Sequence, residues 1–371
     1  MKKNIAIIEN NIIATNTIRR RLTSALMEKG YNVFVLTTGL PDEIKLARER
    51  GFTIIDVKSS NSNPADILCY IKNLRNALKT INADVCLTFT IRPAIWGNLV
   101  TGRMGIPTIT NITGTGPLFA SKNLVYRAAR ALYRFVLKKT RVIFFQNKDD
   151  RQLFLENKFI NPEKALLVPG SGIDHDFFKP MAGQSNNKNF VFLFISRLVK
   201  DKGILEYVEA ARMLKKEWPS AECHILGPLW LQNLKGNIVT KEELEKWKKE
   251  DVIQYLGEAV DVRPFIAGAD CIVLPSYREG TSNVLLEASS MEKPCITCDT
   301  TGCREIVADG DTGFLCRVAD AADLAAKMKM MVQLPAAQRD TMGKKARLKV
   351  MKEFDKQIVI DAYLKAISEV V

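Results

Sequence analysis

Two acidic residues in the second half of the sequence have types and positions that suit the binding of a polar ligand. Glu279 lies in a loop that we expect after the apolar residues 271–274, and Glu287 lies in the apolar-periodic helix that follows. Ser282 or Asn283 is expected to cap that helix. Because a helix start carries free backbone N–H groups and partial positive charge, it favours an anion. The two carboxylates are therefore predicted to border one pocket for an anionic ligand.

Two basic residues follow an earlier apolar run and suit the same kind of ligand. Residues 190–195 are apolar, Arg197 and Lys202 lie in the loop behind them, and a helix is expected from near Ile204. Arginine binds two phosphate oxygens in a fixed fork, whereas lysine acts as a point charge. Because ligands of parallel sheets bind outside the carboxyl ends of the strands, these cations predict a clamp for a diphosphate.

Four segments that contain or follow these residues resemble the family-4 glycosyltransferases, which are retaining enzymes with two Rossmann-like domains, the GT-B fold. The segments are SRLVKDKG at 196–203, EGTSNVLLEA at 279–288, KPCITCD at 293–299 and GDTGFL, expected as a loop, at 310–315. The resemblance covers nearly the whole second half through these motifs and the first half by pattern only.

The resemblance implies a role for each of the four charged residues. Arg197 and Lys202 would stabilise the diphosphate that leaves a nucleotide sugar, Glu279 would contact hydroxyls of the donor sugar, and Glu287 would contact the ribose. Arg197, Lys202 and Glu279 are the expected catalytic residues. Because these cations and the helix start supply positive charge, we expect no metal and no other cofactor. The donor expected from the resemblance is UDP-linked. The other expected donor-binding residues are Gly280, Thr281, Ser282, Asn283, Gly227 and Leu256.

The predicted fold class is α/β, with two Rossmann-like domains that face a cleft. Strands and helices alternate, and the strands are continuous apolar runs, which is typical of parallel sheets covered on both faces. A chain of 371 residues exceeds what one core usually supports. We expect one domain over residues 1–173 and another over residues 180–350. The resemblance implies that a last helix, residues 354–371, crosses back to the first domain.

Residues at the ends of strands in the first domain are candidates for binding the acceptor. Asn11 follows the first expected strand, Arg92 the fourth, and Thr113 and Gly114 the fifth. Two alternatives remain open, because Arg92 can be a solvated cation and the glycine-containing loop can be a plain turn. Many members of the family carry a glycine pair after the first strand, whereas residues 10–12 here are Asn, Asn and Ile.

The net charge of +13 lies entirely in the first half. Residues 1–180 hold 27 basic and 14 acidic residues, while residues 181–371 hold 27 of each. Such asymmetry indicates an anionic partner. Residues 122–141 contain no acid and are expected to form a helix that lies on a membrane surface, with a solvated face as the alternative. The basic residues of its one face are Arg127, Arg130, Arg134 and Lys138.

A zinc site is the competing interpretation of four cysteines near the carboxyl terminus. Cys295 and Cys298 form a C-x-x-C pair, and Cys303 and Cys316 follow. The later pair lacks a second C-x-x-C, and the first pair occupies positions of a buried strand, where cysteine acts as a small hydrophobe. We therefore expect no metal site.

The basic first half, with TIRP at 90–93 and NITGTG at 111–116, looks like family members that extend a saccharide linked to a polyprenyl diphosphate, as in capsule, O-antigen or glycoprotein glycan assembly. The expected activity is transfer of a hexose or N-acetylhexosamine from a UDP-sugar to such a membrane-borne acceptor. Without an uninterrupted apolar run of about 18 residues or a signal-peptide core, the chain is expected in the cytoplasm, on the inner face of the cytoplasmic membrane.

Two other functions stay open. A sugar-nucleotide epimerase shares the fold, although only His175 and His224 are available for acid–base work. A basic protein that binds a membrane or nucleic acid would explain the charge of the first half. It would not explain Glu279 and Glu287, and no nucleic-acid-binding motif is recognised, so nucleic acid is not an expected partner.

Overall fold

The computed structural model describes residues 2–58, 63–115, 119, 124–181, 189–229 and 237–371. The chain folds into two compact units. The first unit runs to Ser171 and also contains Lys356–Val371, and the second unit comprises Gly172–Asp355.

A parallel sheet forms the centre of the first unit. Among the described residues its strands are β1 (Asn4–Ile8), β2 (Asn32–Thr37), β3 (Thr53–Asp56), β4 (Val85–Phe89), β5 (Thr108–Ile112), β6 (Val142–Phe145) and β7 (Ala165–Leu167). Their spatial order is β3-β2-β1-β4-β5-β6-β7. The helices are α1 (Ile12–Asn16), α2 (Arg20–Glu28), α3 (Pro41–Glu49), α4 (Pro64–Thr80), α5 (Ile91–Met104), α6 (Leu124–Leu137) and α7 (Lys148–Glu156).

The second unit repeats this architecture. Its described strands are β8 (Val191–Ile195), β9 (Glu222–Leu226), β10 (Gln254–Tyr255), β11 (Cys271–Leu274), β12 (Cys295–Cys298) and β13 (Gly313–Cys316), in the order β10-β9-β8-β11-β12-β13. All neighbouring pairs are parallel. The helices are α8 (Ile204–Glu217), α9 (Lys241–Lys249), α10 (Arg263–Gly268), α11 (Asn283–Ser290), α12 (Ala321–Gln333) and α13 (Ala336–Glu353).

Each sheet has a switch point at which the chain reverses the direction in which it adds strands. The switch lies between β1 and β4 in the first unit and between β8 and β11 in the second. Loops leave a crevice at the carboxyl ends of strands that flank such a point, and ligands bind there. Central strands such as β4 and β8 are buried along their whole length, because helices cover both faces of the sheet. The α/β prediction is therefore confirmed.

The last helix, α14 (Lys356–Val370), packs on the first unit. Its buried face contributes Val359, Ile360 and Tyr363 to the core that also holds residues of β1 and β4. The Lys356 ammonium donates to the carbonyl oxygen of Ile18 at 2.8 Å and to that of Ser171. The chain thus returns to the first unit, as the resemblance implied.

One expected loop is a strand. Within the motif at residues 310–315, Gly313 begins β13, which pairs with β12 from Cys295 to Cys298. A Cβ on Gly313 would lie 2.1 Å from the carbonyl oxygen of Cys295, so only glycine allows this pairing. The strand escaped prediction because its four residues follow directly on turn residues.

The cysteines are all free thiols, and those of β12 and β13 are buried. The Sγ atoms of Cys298 and Cys316 lie 3.8 Å apart across the two strands. Among the described residues no group of three or more His, Cys, Asp or Glu side chains could hold a metal ion. In the same part of the chain, no helix is both long and apolar enough to span a bilayer.

Candidate active site

Lys202 and Glu279 contact each other directly. Lys202 ends a single turn of 3-10 helix, Lys200–Lys202, just before α8, and Glu279 lies in the loop that follows β11. The Lys202 Nζ is 2.5 Å from Glu279 Oε1, and the two side chains are 18% and 15% exposed. The structure therefore brings together one of the two predicted phosphate-binding cations and the predicted sugar-binding carboxylate.

The backbone around this ion pair joins the loops behind β8 and β11. The Tyr277 amide donates to the carbonyl oxygen of Asp201 at 2.9 Å. Gly203 has a φ of +75°, and a Cβ on it would lie 2.0 Å from the carbonyl oxygen of Pro275. Glycine is required at this position on both counts, because it tolerates positive φ and leaves room for the neighbouring backbone. The approach of the two loops thus depends on Gly203.

A third loop, residues 299–303 behind β12, supports the Glu279 loop and was not recognised from the sequence. The Glu279 amide donates to the Thr301 carbonyl at 3.0 Å, and the Ser282 amide donates to the Gly302 carbonyl at 2.9 Å. Gly302 has a φ of +80°, and a Cβ there would lie 2.5 Å from the Glu279 carbonyl oxygen. A glycine soon after an apolar run was the only signal in the sequence.

Ser282 is the cap of helix α11, which resolves the choice between Ser282 and Asn283. Its Oγ accepts from the Leu285 amide at 3.4 Å, and Asn283 is the first helical residue. Glu287 lies in the second turn and is partly buried. Thr281 is buried and its hydroxyl donates to the carbonyl oxygen of Gly280.

Gly227 and Leu256 lie behind the neighbouring strands β9 and β10. Gly227 has a φ of +147°, and a Cβ on it would lie 1.8 Å from the carbonyl oxygen of Ser196, the residue before Arg197. Its amide donates to the Gly257 carbonyl at 2.7 Å, and the Leu256 amide is bonded within the sheet. Gly227 therefore acts by leaving space next to the exposed Arg197, since its N–H is already bonded.

Comparison with known proteins identifies the enzyme class. Residues 177–349 match the family model Glycosyl transferases group 1, and residues 14–170 match the model Glycosyl transferase 4-like domain. The chain is a glycosyltransferase. The resemblance and the enzyme class predicted from the sequence are thereby confirmed.

Two curated enzymes and one solved structure illustrate the similarity. In an alignment of 371 positions that covers 95% of each chain, the protein is 25% identical to the N,N'-diacetylbacillosaminyl-diphospho-undecaprenol alpha-1,3-N-acetylgalactosaminyltransferase of Campylobacter jejuni. It is 26% identical over 264 residues, covering 67% of this chain and 66% of the other, to the UDP-Gal:alpha-D-GlcNAc-diphosphoundecaprenol alpha-1,3-galactosyltransferase of Escherichia coli. The structure of Anabaena HepE in complex with UDP and glucose superposes with a TM-score of 0.82 and 14% sequence identity. The superposition covers 99% of this chain and 100% of HepE. The fold is thus GT-B.

The first unit of the glycosyltransferase also presents polar residues at its switch point. Asn11 is exposed and immediately precedes α1, while the side-chain amide of its neighbour Asn10 donates to the Thr90 hydroxyl at 2.8 Å. This bond joins the loops behind β1 and β4. Thr113 and Gly114 follow β5 and are partly buried. These five residues therefore lie at the carboxyl ends of strands β1, β4 and β5.

Arg92 lies inside a helix and not in a loop before it. Helix α5 begins at Ile91, one position after Thr90, whereas the sequence pattern placed the helix after Pro93. The pattern was misleading because proline is tolerated in the first turn of a helix. The Arg92 guanidinium lies over the ring of Tyr70, 4.9 Å from its centroid, and burial lowers its pKa.

A buried ion pair beneath this edge was not predicted. The Arg19 Nε lies 2.9 Å from Glu9 Oε1, both side chains are under 5% exposed, and Thr15 donates to the other carboxylate oxygen at 3.0 Å. Arg19 also lies over the Phe89 ring, 4.0 Å from its centroid. Burial raises the pKa of Glu9, while Arg19 and Thr15 oppose that shift. The pair forms because the chain turns between α1 and α2 and directs Arg19 inward.

Helix α6 of the glycosyltransferase has one buried and one basic face. Tyr133, Val136 and Leu137 are buried in a cluster of the first unit. Arg127 and Arg134 are exposed, as is Lys138 just beyond the helix end, and Arg130 is partly exposed. Phe135 is apolar and yet 57% exposed. Lys122, at the start of the predicted basic segment, lies outside the described residues.

Proposed function

We propose that this glycosyltransferase moves a hexose or N-acetylhexosamine, with retention, from a UDP-sugar to a saccharide linked to a membrane-borne polyprenyl diphosphate. The contact between Lys202 and Glu279 is the observation that carries the proposal. It places a cation and a carboxylate side by side at the switch point of the second sheet. A cation suits a diphosphate, and a carboxylate suits the hydroxyls of a sugar.

In the proposed reaction, Arg197 and Lys202 hold the diphosphate while negative charge develops on it. The bond between the anomeric carbon and the phosphate oxygen breaks as the acceptor hydroxyl approaches from the same face. The leaving phosphate oxygen takes the proton of that hydroxyl, so the configuration is retained and no carboxylate nucleophile is needed. Charge placed where it develops lowers the barrier more than uniform binding does.

The remaining roles at the donor site follow from position. Glu279 would accept hydrogen bonds from hydroxyls of the sugar. Glu287, in the second turn of α11, would accept hydrogen bonds from the hydroxyls of the ribose. The start of α11 would add the partial charge of its N–H groups. The proposed donor-binding residues are Gly227, Leu256, Gly280, Thr281, Ser282, Asn283 and Glu287, and the proposed acceptor-binding residues are Asn11, Arg92, Thr113 and Gly114.

The nature of donor and acceptor is supported by the names of similar proteins. The Escherichia coli relative is named for UDP-Gal, and HepE was solved with UDP. Both curated relatives are named for saccharides on diphosphoundecaprenol. We propose the same classes of substrate here. Since Arg197 and Lys202 can neutralise the leaving diphosphate, transfer should not require a metal ion.

The basic face of α6 supports a place on the inner face of the cytoplasmic membrane. Exposed Arg127, Arg134 and Lys138 would contact anionic lipid headgroups, and each adds about 1 kcal/mol near such a surface. The exposed ring of Phe135 would lie between them at the boundary of the acyl region. A membrane-borne acceptor requires such a location.

The test is transfer in vitro. The protein is incubated with UDP-GalNAc, UDP-GlcNAc, UDP-galactose or UDP-glucose and a synthetic polyprenyl-diphosphate saccharide, with and without EDTA. We expect a product one sugar longer by mass spectrometry, an anomeric configuration equal to that of the donor, and equal rates in EDTA. Inversion, a requirement for divalent metal, or transfer only from other nucleotide sugars would contradict the proposal. The Glu279→Ala variant serves as the inactive control.

A further inference from the structure

The hydroxyl of Tyr277 is directed at a carboxylate on the neighbouring helix. It donates to Glu206 Oε1 at 2.7 Å, and Glu206 lies in the first turn of α8. Burial, followed by the bond to Glu206, raises the pKa of Tyr277. The hydroxyl therefore stays protonated at neutral pH and remains the donor in its bond to Glu206.

The position of this bond relates it to the active site. Tyr277 precedes Glu279 by two residues, and Glu206 follows Lys202 by four. The bond between Tyr277 and Glu206 thus spans the same two segments as the ion pair between Lys202 and Glu279. Two side-chain contacts therefore connect the Glu279 loop to the segment that carries Lys202.

The backbone of Tyr277 is bonded on two further sides. Its amide donates to the Asp201 carbonyl at 2.9 Å, and its carbonyl accepts from the Thr300 hydroxyl at 2.9 Å. Tyr277 is therefore the residue at which the loops behind β8, β11 and β12 meet. Movement of its ring would shift the loop that carries Glu279.

We propose that Tyr277 and Glu206 are positioning residues that hold the Glu279 loop in place when donor binding opens the ion pair between Lys202 and Glu279. The proposal rests on the donor site described above. A diphosphate competes with Glu279 for Lys202, and sugar hydroxyls compete with Lys202 for Glu279. Once both are engaged by the donor, the hydrogen bond between the side chains of Tyr277 and Glu206 still joins the two segments.

The variants separate positioning from general stability. Tyr277→Phe removes the hydroxyl, Glu206→Leu removes its acceptor, and Glu206→Gln keeps an acceptor oxygen. Tyr207→Phe is the matched control, because Tyr207 lies on the same helix and donates from a fully buried hydroxyl to the Phe192 carbonyl at 3.1 Å. That bond lies within the core and does not reach the Glu279 loop.

The measurement is kcat and KM for the UDP-sugar. We expect Tyr277→Phe and Glu206→Leu each to lower kcat/KM about tenfold or more, with no greater loss in the double variant, since both remove one bond. Glu206→Gln should recover most of the activity, and Tyr207→Phe should lose stability while keeping its KM. Wild-type kcat/KM in Tyr277→Phe, additive losses, or an equal loss in Tyr207→Phe would overturn the proposal.

Hydrogen exchange of the Glu279 amide gives a second result that does not depend on transfer. This amide donates to the Thr301 carbonyl. When UDP is bound, it should exchange faster in Tyr277→Phe than in wild type. Its exchange rate should be unchanged in Tyr207→Phe. If wild type transfers no sugar, the proposed function fails, and exchange still decides the role of the pair. An unchanged exchange rate in Tyr277→Phe would by itself refute the proposed positioning role of Tyr277 and Glu206.

Discussion

Lys202 and Glu279 are 77 positions apart in the sequence and 2.5 Å apart in the structure, measured from Nζ to Oε1. Each side chain is less than one-fifth exposed. The ion pair joins the two loops that flank the switch point of the second sheet. A donor that binds there has to exchange this contact for contacts of its own, so both residues are held at the place where they would act.

Removing the Lys202 charge should reduce turnover strongly. We expect Lys202→Ala, and likewise Arg197→Ala, to lose about 2–4 kcal/mol of transition-state stabilisation in kcat/KM, as for removal of one electrostatic donor. Lys200→Ala is the control, because Lys200 lies in the same turn and pairs with Glu243 at 3.5 Å. An equal loss in Lys200→Ala would show that the effect arises from folding of the turn.

Glu279 and Glu287 should differ in what their removal impairs. Glu279→Ala should abolish turnover and keep affinity for UDP, because this carboxylate is proposed to contact the sugar. Glu287→Ala should mainly weaken UDP binding, because its place in the second turn of α11 suits the ribose. Isothermal titration of UDP into both variants distinguishes them. Loss of UDP binding in Glu279→Ala alone would reverse the assignment.

The buried pair of Glu9 and Arg19 should stabilise the first unit only as a pair. Arg19→Met leaves an uncompensated buried carboxylate, which costs about 3–5 kcal/mol of unfolding free energy, and replacing both residues by apolar ones should recover most of it. Arg21→Met is the control: its exposed pair with Glu28 contributes at most about 1 kcal/mol. Urea unfolding measures each variant, and a small loss in Arg19→Met would contradict the expectation.

The same variant should show a defined pH dependence. Burial raises the pKa of Glu9, and Arg19 opposes that shift, so removing Arg19 should raise the pKa further. The folded variant then binds a proton more tightly than the unfolded chain, so its stability increases as pH falls through the raised pKa. The deficit of Arg19→Met relative to wild type should therefore be smaller at mildly acidic pH than at neutral pH. A deficit that grows on acidification would exclude this mechanism.

Membrane binding should depend on the basic face of α6. Replacing Arg127, Arg130, Arg134 and Lys138 by Gln should release the protein from anionic vesicles and leave transfer to a short soluble acceptor nearly intact. Wild-type binding should fall with salt, since surface potential decays within about 8 Å at physiological ionic strength.

The control for this experiment removes the same number of positive charges from the second unit. Lys241, Lys246, Lys248 and Lys249 are exposed on α9, and their replacement by Gln should leave vesicle binding unchanged. If the α6 variant still sediments with anionic vesicles, or if wild type does not, the basic face is only solvated.

The regular elements were largely predictable from the sequence. Strand β11 has the bounds of the apolar run at 271–274, and α8 begins at Ile204, near which the helix is predicted to start. These features depend on local free energies, such as apolar periodicity and glycine at a helix end, which a short segment reveals by itself. The same local signals correctly placed Glu279 in a loop and Glu287 in a helix.

Local signals failed where distant contacts decide the conformation. Strand β13 consists of four residues, and its pairing depends on the absence of a Cβ at Gly313 next to Cys295. Residues 16–29 have the apolar spacing of one continuous helix in the sequence, but in the structure the helix is interrupted at residues 17–19, where Arg19 turns inward to Glu9. In both cases the residue that decides the conformation, Cys295 for Gly313 and Glu9 for Arg19, lies outside the segment itself.

The amino-acid sequence alone indicated which residues suit the proposed chemistry: two cations and two carboxylates behind apolar strands. Only the tertiary structure decided that Lys202 bonds to Glu279 and Tyr277 to Glu206. These contacts form because Gly203 and Gly302 let three loops approach to within backbone contact. That approach depends on the order of strands in the sheet, which is set by packing over the whole unit and not by any one segment.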